Sequence, residues 1–218
     1  MIKLIIFDLD GTLLDTIDDL AAACDAVLCA RGLPRHTREG YRRMVGNGIR
    51  RLVERSLPEN MRNEETVESV RRQFVDYYID HIDLYTRPYD GIAEAVEALA
   101  ARDIKLAVVS NKFQAGTEKL VSRFFPDVEF TAVCGQREGI PLKPDPQVDL
   151  EIMRTAGVEP SQTLHVGDSS VDIATAKTAG IWSAGVTWGF RPREELVESG
   201  ADYIIDCPEQ LLEILDTL

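Results

Sequence analysis

From residue 88 onward, short apolar runs alternate with segments whose apolar residues recur at helical spacing, and this alternation most limits the folds open to the chain. The apolar runs fall at 105–109, 131–134, 163–166, 183–186 and 203–205, and another at 2–6 opens the chain. Between and after them, helical spacing covers 92–101, 115–125, 148–156, 171–179, 193–199 and 208–215. Strands that alternate with helices predict βαβ units and a parallel sheet covered on both faces. The nearly continuous apolar strands fit burial on both sides. Residues 15–85 show no strand pattern. A helix capped by Asp15 or Thr16 carries Ile17, Leu20, Ala21, Cys24, Val27 and Leu28 and stops at Gly32-Leu33-Pro34. Helical pieces at 38–45 and 49–57 flank a break at Gly46-Asn47-Gly48, and a long amphipathic helix over 64–82 places Val67, Val70, Phe74, Tyr77 and Tyr78 on its apolar side. The expected architecture is α/β: a doubly wound parallel sheet made of residues 1–14 and 88–218, with an inserted all-helical cap domain over 15–87. Segments 14–16 and 84–90 are the expected hinges. Ligands of open α/β sheets bind at the carboxyl ends of the strands, and the insertion leaves from that edge, where it can lie over a site as a lid.

Charge narrows the partners. The formal net charge is −13, a surface that repels nucleic acid and anionic membranes, so neither is expected as a partner. No apolar stretch approaches the roughly 18 residues of a membrane helix, and Lys3, Asp8 and Asp10 interrupt the first apolar run too early for a signal peptide. Cys24, Cys29, Cys134 and Cys207 form no C-x-x-C pair, which fits reduced thiols in a cytoplasmic protein. His36, His81 and His165 show no metal-ligand spacing, and His165, inside a strand, reads as a packed core residue.

The strand ends carry the chemistry. The first run leads into Phe7-Asp8-Leu9-Asp10-Gly11-Thr12. In extended backbone Asp8 and Asp10 point the same way. Two carboxylates held together call for compensation, usually a hard divalent cation with oxygen ligands such as Mg²⁺. The plainer alternative is a solvated acidic turn. The second strand ends in Ser110-Asn111-Lys112, a later loop holds Lys143-Pro144-Asp145-Pro146, and another strand ends in Gly167-Asp168-Ser169-Ser170 with Asp172 beyond. Taken singly, Ser110 and Asp168 could be helix caps and Lys143 a solvated loop lysine. One sheet edge, however, gathers all four segments.

Together, Asp8-Leu9-Asp10-Gly11-Thr12, Ser110-Asn111, Lys143-Pro144 and Gly167-Asp168-x-x-x-Asp172 resemble the haloacid dehalogenase superfamily of phosphohydrolases, in order and across the whole chain. Val45-Gly46-Asn47-Gly48, Asp168-Ser169, Gly185-Val186-Thr187-Trp188-Gly189-Phe190 and Arg193-Glu194-Glu195-Leu196 look most like its phosphoglycolate phosphatases. The resemblance implies a Rossmann-like core and an Mg²⁺-dependent phosphatase acting on a small phosphomonoester, 2-phosphoglycolate foremost. Under it Asp8 is the nucleophile that forms an aspartyl-phosphate, and Asp10 the general acid and base. Gly11, Thr12, Ser110, Asn111 and Lys143 bind the phosphate. Asp8, Asp10 and Asp168 hold the metal, and Asp172 orients it from behind.

Specificity is expected in the cap. The Gly46-Asn47-Gly48 turn opens a helix whose N-terminus favours an anion. One of Arg42, Arg43, Arg50, Arg51 and Arg55 is expected to read the substrate carboxylate, the plainer alternative being a solvated, Glu-paired face. Trp188 and Phe190 read as packing under a loop. A related sugar-phosphate phosphatase, a pyrophosphatase, a β-phosphoglucomutase-like phosphomutase and a non-catalytic receiver module remain as other readings. The expected assembly is a monomer or homodimer.

Overall fold

The computed structural model describes residues 1–217. The chain begins β1 (Leu4–Phe7), β2 (Leu14–Asp15), α1 (Ile17–Ala30), α2 (Arg38–Met44), α3 (Gly48–Ser56), α4 (Glu64–Asp80), β3 (Arg87–Pro88) and α5 (Ile92–Ala100). It continues β4 (Lys105–Phe113), α6 (Gln114–Phe124), β5 (Phe130–Gln136), α7 (Gln147–Ala156), β6 (Thr163–Gly167), α8 (Ser170–Ala179), β7 (Trp182–Val186), α9 (Arg193–Glu198), β8 (Tyr203–Ile205) and α10 (Gln210–Thr217). Six strands form one sheet in the order β5-β4-β1-β6-β7-β8, each neighbouring pair parallel.

The two-residue period of β1 divides the core between the two faces of this sheet. Leu4 and Ile6 join Ala107 and Val109 in packing against Val148, Ile152 and Met153 of α7 and Ala176 of α8. Ile5 and Phe7 point the other way, into a larger cluster that includes Ile92, Val96 and Leu120 and runs on without a break into Leu20, Val53, Phe74 and Tyr78 of the helical insertion. The chain moves from β1 outward to β4 and β5, then returns to the far side of β1 as β6. That reversal opens a crevice at the carboxyl ends of β1, β4 and β6.

Several local details depart from the sequence expectation. The expected hinges are not plain linkers: Leu14–Asp15 and Arg87–Pro88 pair antiparallel as a small ribbon. Thr16 caps nothing with its side chain; its hydroxyl donates to Asp10 instead, at 2.7 Å. Strand β4 continues to Phe113, four residues beyond its apolar run, and its register with β5 breaks between Val109 and Phe113. Ser110, Asn111 and Lys112 lie in that irregular stretch and are all buried. They look like loop residues by polarity, yet they find polar partners inside the crevice. Tyr77 is 37% exposed and stacks on His81, while Tyr78 one position on takes the buried place.

The buried carboxylate of Asp19 ties the return hinge to α1. It accepts from the N–H of Tyr85 (3.0 Å), the N–H of Thr86 (2.8 Å) and the hydroxyl of Thr86 (2.7 Å). Asp19→Ala leaves buried donors unpaired, each costing about 1–3 kcal/mol. Urea unfolding should show a loss of at least about 2 kcal/mol; an unchanged midpoint would mean that water replaces the carboxylate without penalty.

Candidate active site

The site begins where β1 stops. The Asp8 N–H still donates to the Val166 carbonyl (2.9 Å), but from Leu9 the backbone coils, with Leu13 and Leu14 both donating to the Leu9 carbonyl. Strand geometry therefore no longer governs Asp10, and the two acids have different surroundings. Asp8 lies 2.9 Å from Lys143 Nζ. Asp10 accepts from Thr16 and from Lys112 Nζ, the latter at 2.9 and 3.0 Å. Lys112 also sits 4.8 Å from the centre of the Tyr78 ring. The sequence reading assigned Lys112 no role; only the fold shows that a buried lysine faces Asp10.

Lys143 is the hub. Besides Asp8 it contacts Asp172 Oδ1 (2.7 Å) and donates to the Val109 carbonyl (2.8 Å). Asp172 in turn holds Ser169 through its N–H (3.1 Å) and hydroxyl (2.6 Å). Behind Asp172 stands His165, with Nε2 3.5 Å from Oδ1 and Nδ1 donating to Asp149 at 2.7 Å. His165 is buried as expected, with both ring nitrogens facing carboxylates.

Burial disfavours charge on every member of this chain, and neighbours decide the outcome. Burial pushes Asp8 up to about 6, against the pull of Lys143. For Asp172 burial is outweighed by Lys143 and His165, which hold it well below the usual carboxylate range. Lys143 is held above its ordinary value, because Asp172 and Asp8 outweigh its burial. His165 rises to about 9, since Asp149 with help from Asp172 overcomes burial. For Asp168 burial, then the charges of Asp172 and Asp8, outweigh the Phe190 N–H and the charge of Arg191 and push it well above the usual range. It accepts one hydrogen bond, from the Phe190 N–H at 2.6 Å.

The carboxylates that converge are Asp8, Asp168 and Asp172, each offering an oxygen within 4.8 Å of the others. Asp10, also expected among the metal ligands, lies outside this cluster of side-chain oxygens and faces Lys112 and Thr16. Three buried, all-oxygen, mutually repelling donors fit a hard divalent cation. Close approach here depends on glycine: a Cβ on Gly11, at φ 89°, would lie 2.4 Å from Asp168 Oδ2, and one on Gly167 would lie 2.2 Å from Asp172 Cγ.

Other expected phosphate ligands have mixed placements. Ser110 lines the chamber, its Oγ accepting from the Lys112 N–H at 3.3 Å. The Asn111 amide is occupied in bridging: it donates to the carbonyls of Gly46 and Lys143 (3.1 Å each) and accepts from the Lys143 N–H (2.9 Å). Gly11 and Thr12 use their N–H groups inside the turn, toward Leu14 and Leu9. Over these groups Val45, Gly46, Gly48, Ile49 and Leu52 of the insertion close a cavity of about 40 Å³, room for only a few atoms. Asn47 stands outside it, accepting from Arg55 at 2.8 Å. Trp188 packs under the turn, its indole donating to the Thr12 carbonyl (3.0 Å), but Phe190 faces the cavity. Arg191, which the sequence reading passed over, lines it as well.

Residues 5–186 match the model of the haloacid dehalogenase-like hydrolase family. The chain is 34% identical to the N-acetylmuramic acid 6-phosphate phosphatase of Pseudomonas aeruginosa, over 99% of this chain and 95% of that protein. It is 38% identical to a phosphoglycolate phosphatase of Mesorhizobium japonicum, over 87% and 85% of the two chains. Identity is 33% to the phosphoglycolate phosphatase of Aquifex aeolicus, over 98% and 97%. Among solved structures, a protein of Haemophilus somnus predicted to be a phosphoglycolate phosphatase superposes with a TM-score of 0.90 at 31% identity, covering 98% of each chain.

The raised pKa of Asp8 has a consequence for stability. Its ordinary value is 3.8 and its folded value about 6, so between these the folded chain binds a proton that the unfolded chain has released. Stability therefore falls as pH rises through that window. Asp8→Asn removes this cost, and Lys143 keeps Asp172 as its partner. At pH 7, in chelator, the variant should melt at least roughly 2–4 °C above the wild type, the shift expected for about 1 kcal/mol. A lower melting point would mean that the Asp8–Lys143 pair stabilises the fold after all.

Proposed function

The chain belongs to the haloacid dehalogenase-like hydrolase family, and on that premise we propose that it hydrolyses a small phosphomonoester, 2-phosphoglycolate foremost, through an aspartyl-phosphate on Asp8. The chain is a phosphoric monoester hydrolase. The observation that carries the finer reading is the position of Asp8: a buried carboxylate 2.9 Å from Lys143, among converging acids, under a closing insertion.

A carboxylate and a phosphate dianion repel each other, and the site must offset that repulsion before Asp8 can attack phosphorus. Lys143 supplies one positive charge beside the attacking oxygen. Asp8 and Asp168 would hold Mg²⁺, with Asp172 beside them, and the cation would offset the remaining repulsion on the transferring group. Asp172 holds Lys143 through a second ion pair at 2.7 Å, which fixes the ammonium beside Asp8. Ser110 offers a hydroxyl to the phosphoryl oxygens. Asp10 stands apart from Lys143, oriented by Thr16 and Lys112, and in this reading protonates the leaving alkoxide and later deprotonates the hydrolytic water. Residues 15–87 would act as a cap, opening on the paired hinge strands to admit substrate and closing to exclude water.

A panel of phosphomonoesters ranked by kcat/KM, with and without Mg²⁺, tests the substrate and the metal together. Chelation should abolish turnover and Mg²⁺ restore it; full activity in chelator would remove the metal from the reading. Asp8→Asn should be inactive. Asp10→Asn should lower kcat by roughly 10²–10⁴-fold with little change in KM. A change in KM alone would end the acid–base role of Asp10.

A further inference from the structure

The chamber around Asp8 is poorly suited to a second negative charge. Leu20, Val45, Ile49, Leu52 and Phe190 form its apolar wall. Its two lysines are engaged, Lys112 with Asp10 and Lys143 with Asp8 and Asp172. One further cation lines it, Arg191, at its rim. Beyond Arg191 a larger cavity of about 800 Å³ follows the seam between insertion and core. The two cavities share Gly46, Ser169, Val171, Phe190 and Arg191.

Charge in this seam runs against the charge of the molecule. The chain as a whole carries −13. The seam is lined by Arg42, Arg43, Arg55 and Arg191 against Glu39 and Glu195 only. Three of these guanidiniums make their hydrogen bonds to neutral oxygens. Arg42 donates to the Gly189 carbonyl. Arg55 donates to the Met44 carbonyl (2.7 Å) and the Asn47 side chain (2.8 Å). Arg191 donates to the carbonyls of Arg42 and Val45. The nearest carboxylates stand off, Glu195 at 3.6 Å from Arg191 and Glu39 at 3.9 Å from Arg42, and among the described residues Arg55 has no ion pair. Elsewhere on the insertion arginines pair tightly: Arg38 with Asp18 at 2.6 Å, Arg51 with Glu54 at 2.6 Å, and Arg50 with Glu64. The Nε of Arg42 is buried without a partner. Burial, and then the charges of Arg191 and Arg51, lower the pKa of Arg55. Carbonyl dipoles satisfy the donors but leave the net charge in place, and like charges crowded together favour a bound anion.

We infer that this seam is the subsite for a second anionic group on the phosphorylated substrate, with Arg55, Arg42 and Arg191 reading a carboxylate carried by the leaving alcohol. The inference rests on the phosphatase reading and sharpens it. It moves specificity away from Arg50 and Arg51, which face glutamates, and from Arg43, which is 79% exposed and beside Glu39. It also separates the two charges of the substrate: the phosphate lies over Asp8 and the carboxylate at or beyond Arg191. Guanidinium groups suit this task because they hold a planar carboxylate by paired N–H donors.

The test compares matched esters that differ in one charge: 2-phosphoglycolate against 2-hydroxyethyl phosphate, and 6-phosphogluconate against glucose 6-phosphate. The wild type should prefer the carboxylate-bearing member of at least one pair, and the pair that shows it tells how far from phosphorus the charge is read. Arg55→Gln and Arg191→Gln should each reduce that kcat/KM ratio at least about tenfold. Arg55→Lys, which keeps the charge, should recover part of it, and Arg51→Gln should leave the ratio as it is. A ratio unmoved by Arg55→Gln and Arg191→Gln in proteins that still melt cooperatively would overturn the inference and leave the arginines as stitching between insertion and core. Hydrolysis of no ester at all would overturn the phosphatase reading instead. A calorimetric arm needs no turnover: the same pairs are titrated into Asp8→Asn protein with and without Arg55→Gln. Equal dissociation constants for charged and neutral members in the Arg55 protein would also refute the subsite.

Discussion

Five buried groups of alternating sign, Asp149, His165, Asp172, Lys143 and Asp8, form the line on which the rest of this structure depends. None of them could be buried alone, because an unpaired ion in the interior costs several kcal/mol. In sequence they stand just after β1, on the loop before α7, on α7 itself, on β6 and on α8. Their mutual pairing therefore fastens five segments of the chain together. The line also ends unevenly. Asp172 is shared between Lys143 and His165, so Lys143 keeps positive charge to present to Asp8 and, in the proposed reaction, to the phosphate. Asp168, beside the line but without a cation of its own, is the group most in need of one.

The topology explains why these groups can meet. Because β1 lies between β4 and β6, the chain leaves the sheet in opposite directions at its two neighbours, and the strand ends there are not roofed by a crossover helix. The helical insertion takes that place. Its apolar residues continue the core cluster of one sheet face, so the insertion is packed on its own account and does not rely on substrate for its fold. Beside the site its polar contacts with the core are Asn111 to Gly46, Arg42 to Gly189, and Arg191 to the carbonyls of Arg42 and Val45. The acceptors in these contacts are neutral carbonyls, and the arginine donors can exchange them for water or for an anion. The seam is accordingly a natural plane of opening.

The two acids of the first motif show how position within one turn divides the work. They are separated by one residue, yet Asp8 faces Lys143 and Asp10 faces Lys112. The coil that begins at Leu9 turns Asp10 out of the strand direction, and Gly11 completes the coil where any side chain would strike Asp168. Each acid thus has its own lysine, and a cation near Asp8 need not disturb Asp10.

The sequence by itself determined the architecture and singled out most of the candidate groups of the site. Apolar period and length mark each main strand and helix, since burial on one or both faces is written residue by residue, and the acids and lysine at strand ends stand out because charge is costly there. It did not determine how those groups pair. The role of Lys112 depends on a bulged extension of β4 that polarity disguised as loop. The role of His165 depends on Asp149, sixteen residues away on another element, and an isolated histidine in a strand carries no sign of it. Asp172 joins the cluster around Asp8 while Asp10 faces Lys112 and Thr16, which the strand alternation of the first motif does not reveal. Arg191 gains its meaning from carbonyls nearly 150 residues earlier in the chain. In each case the deciding quantity is a through-space distance between charges on different elements. Local pattern reports what a residue can bury, and only the assembled sheet decides which charge it must face.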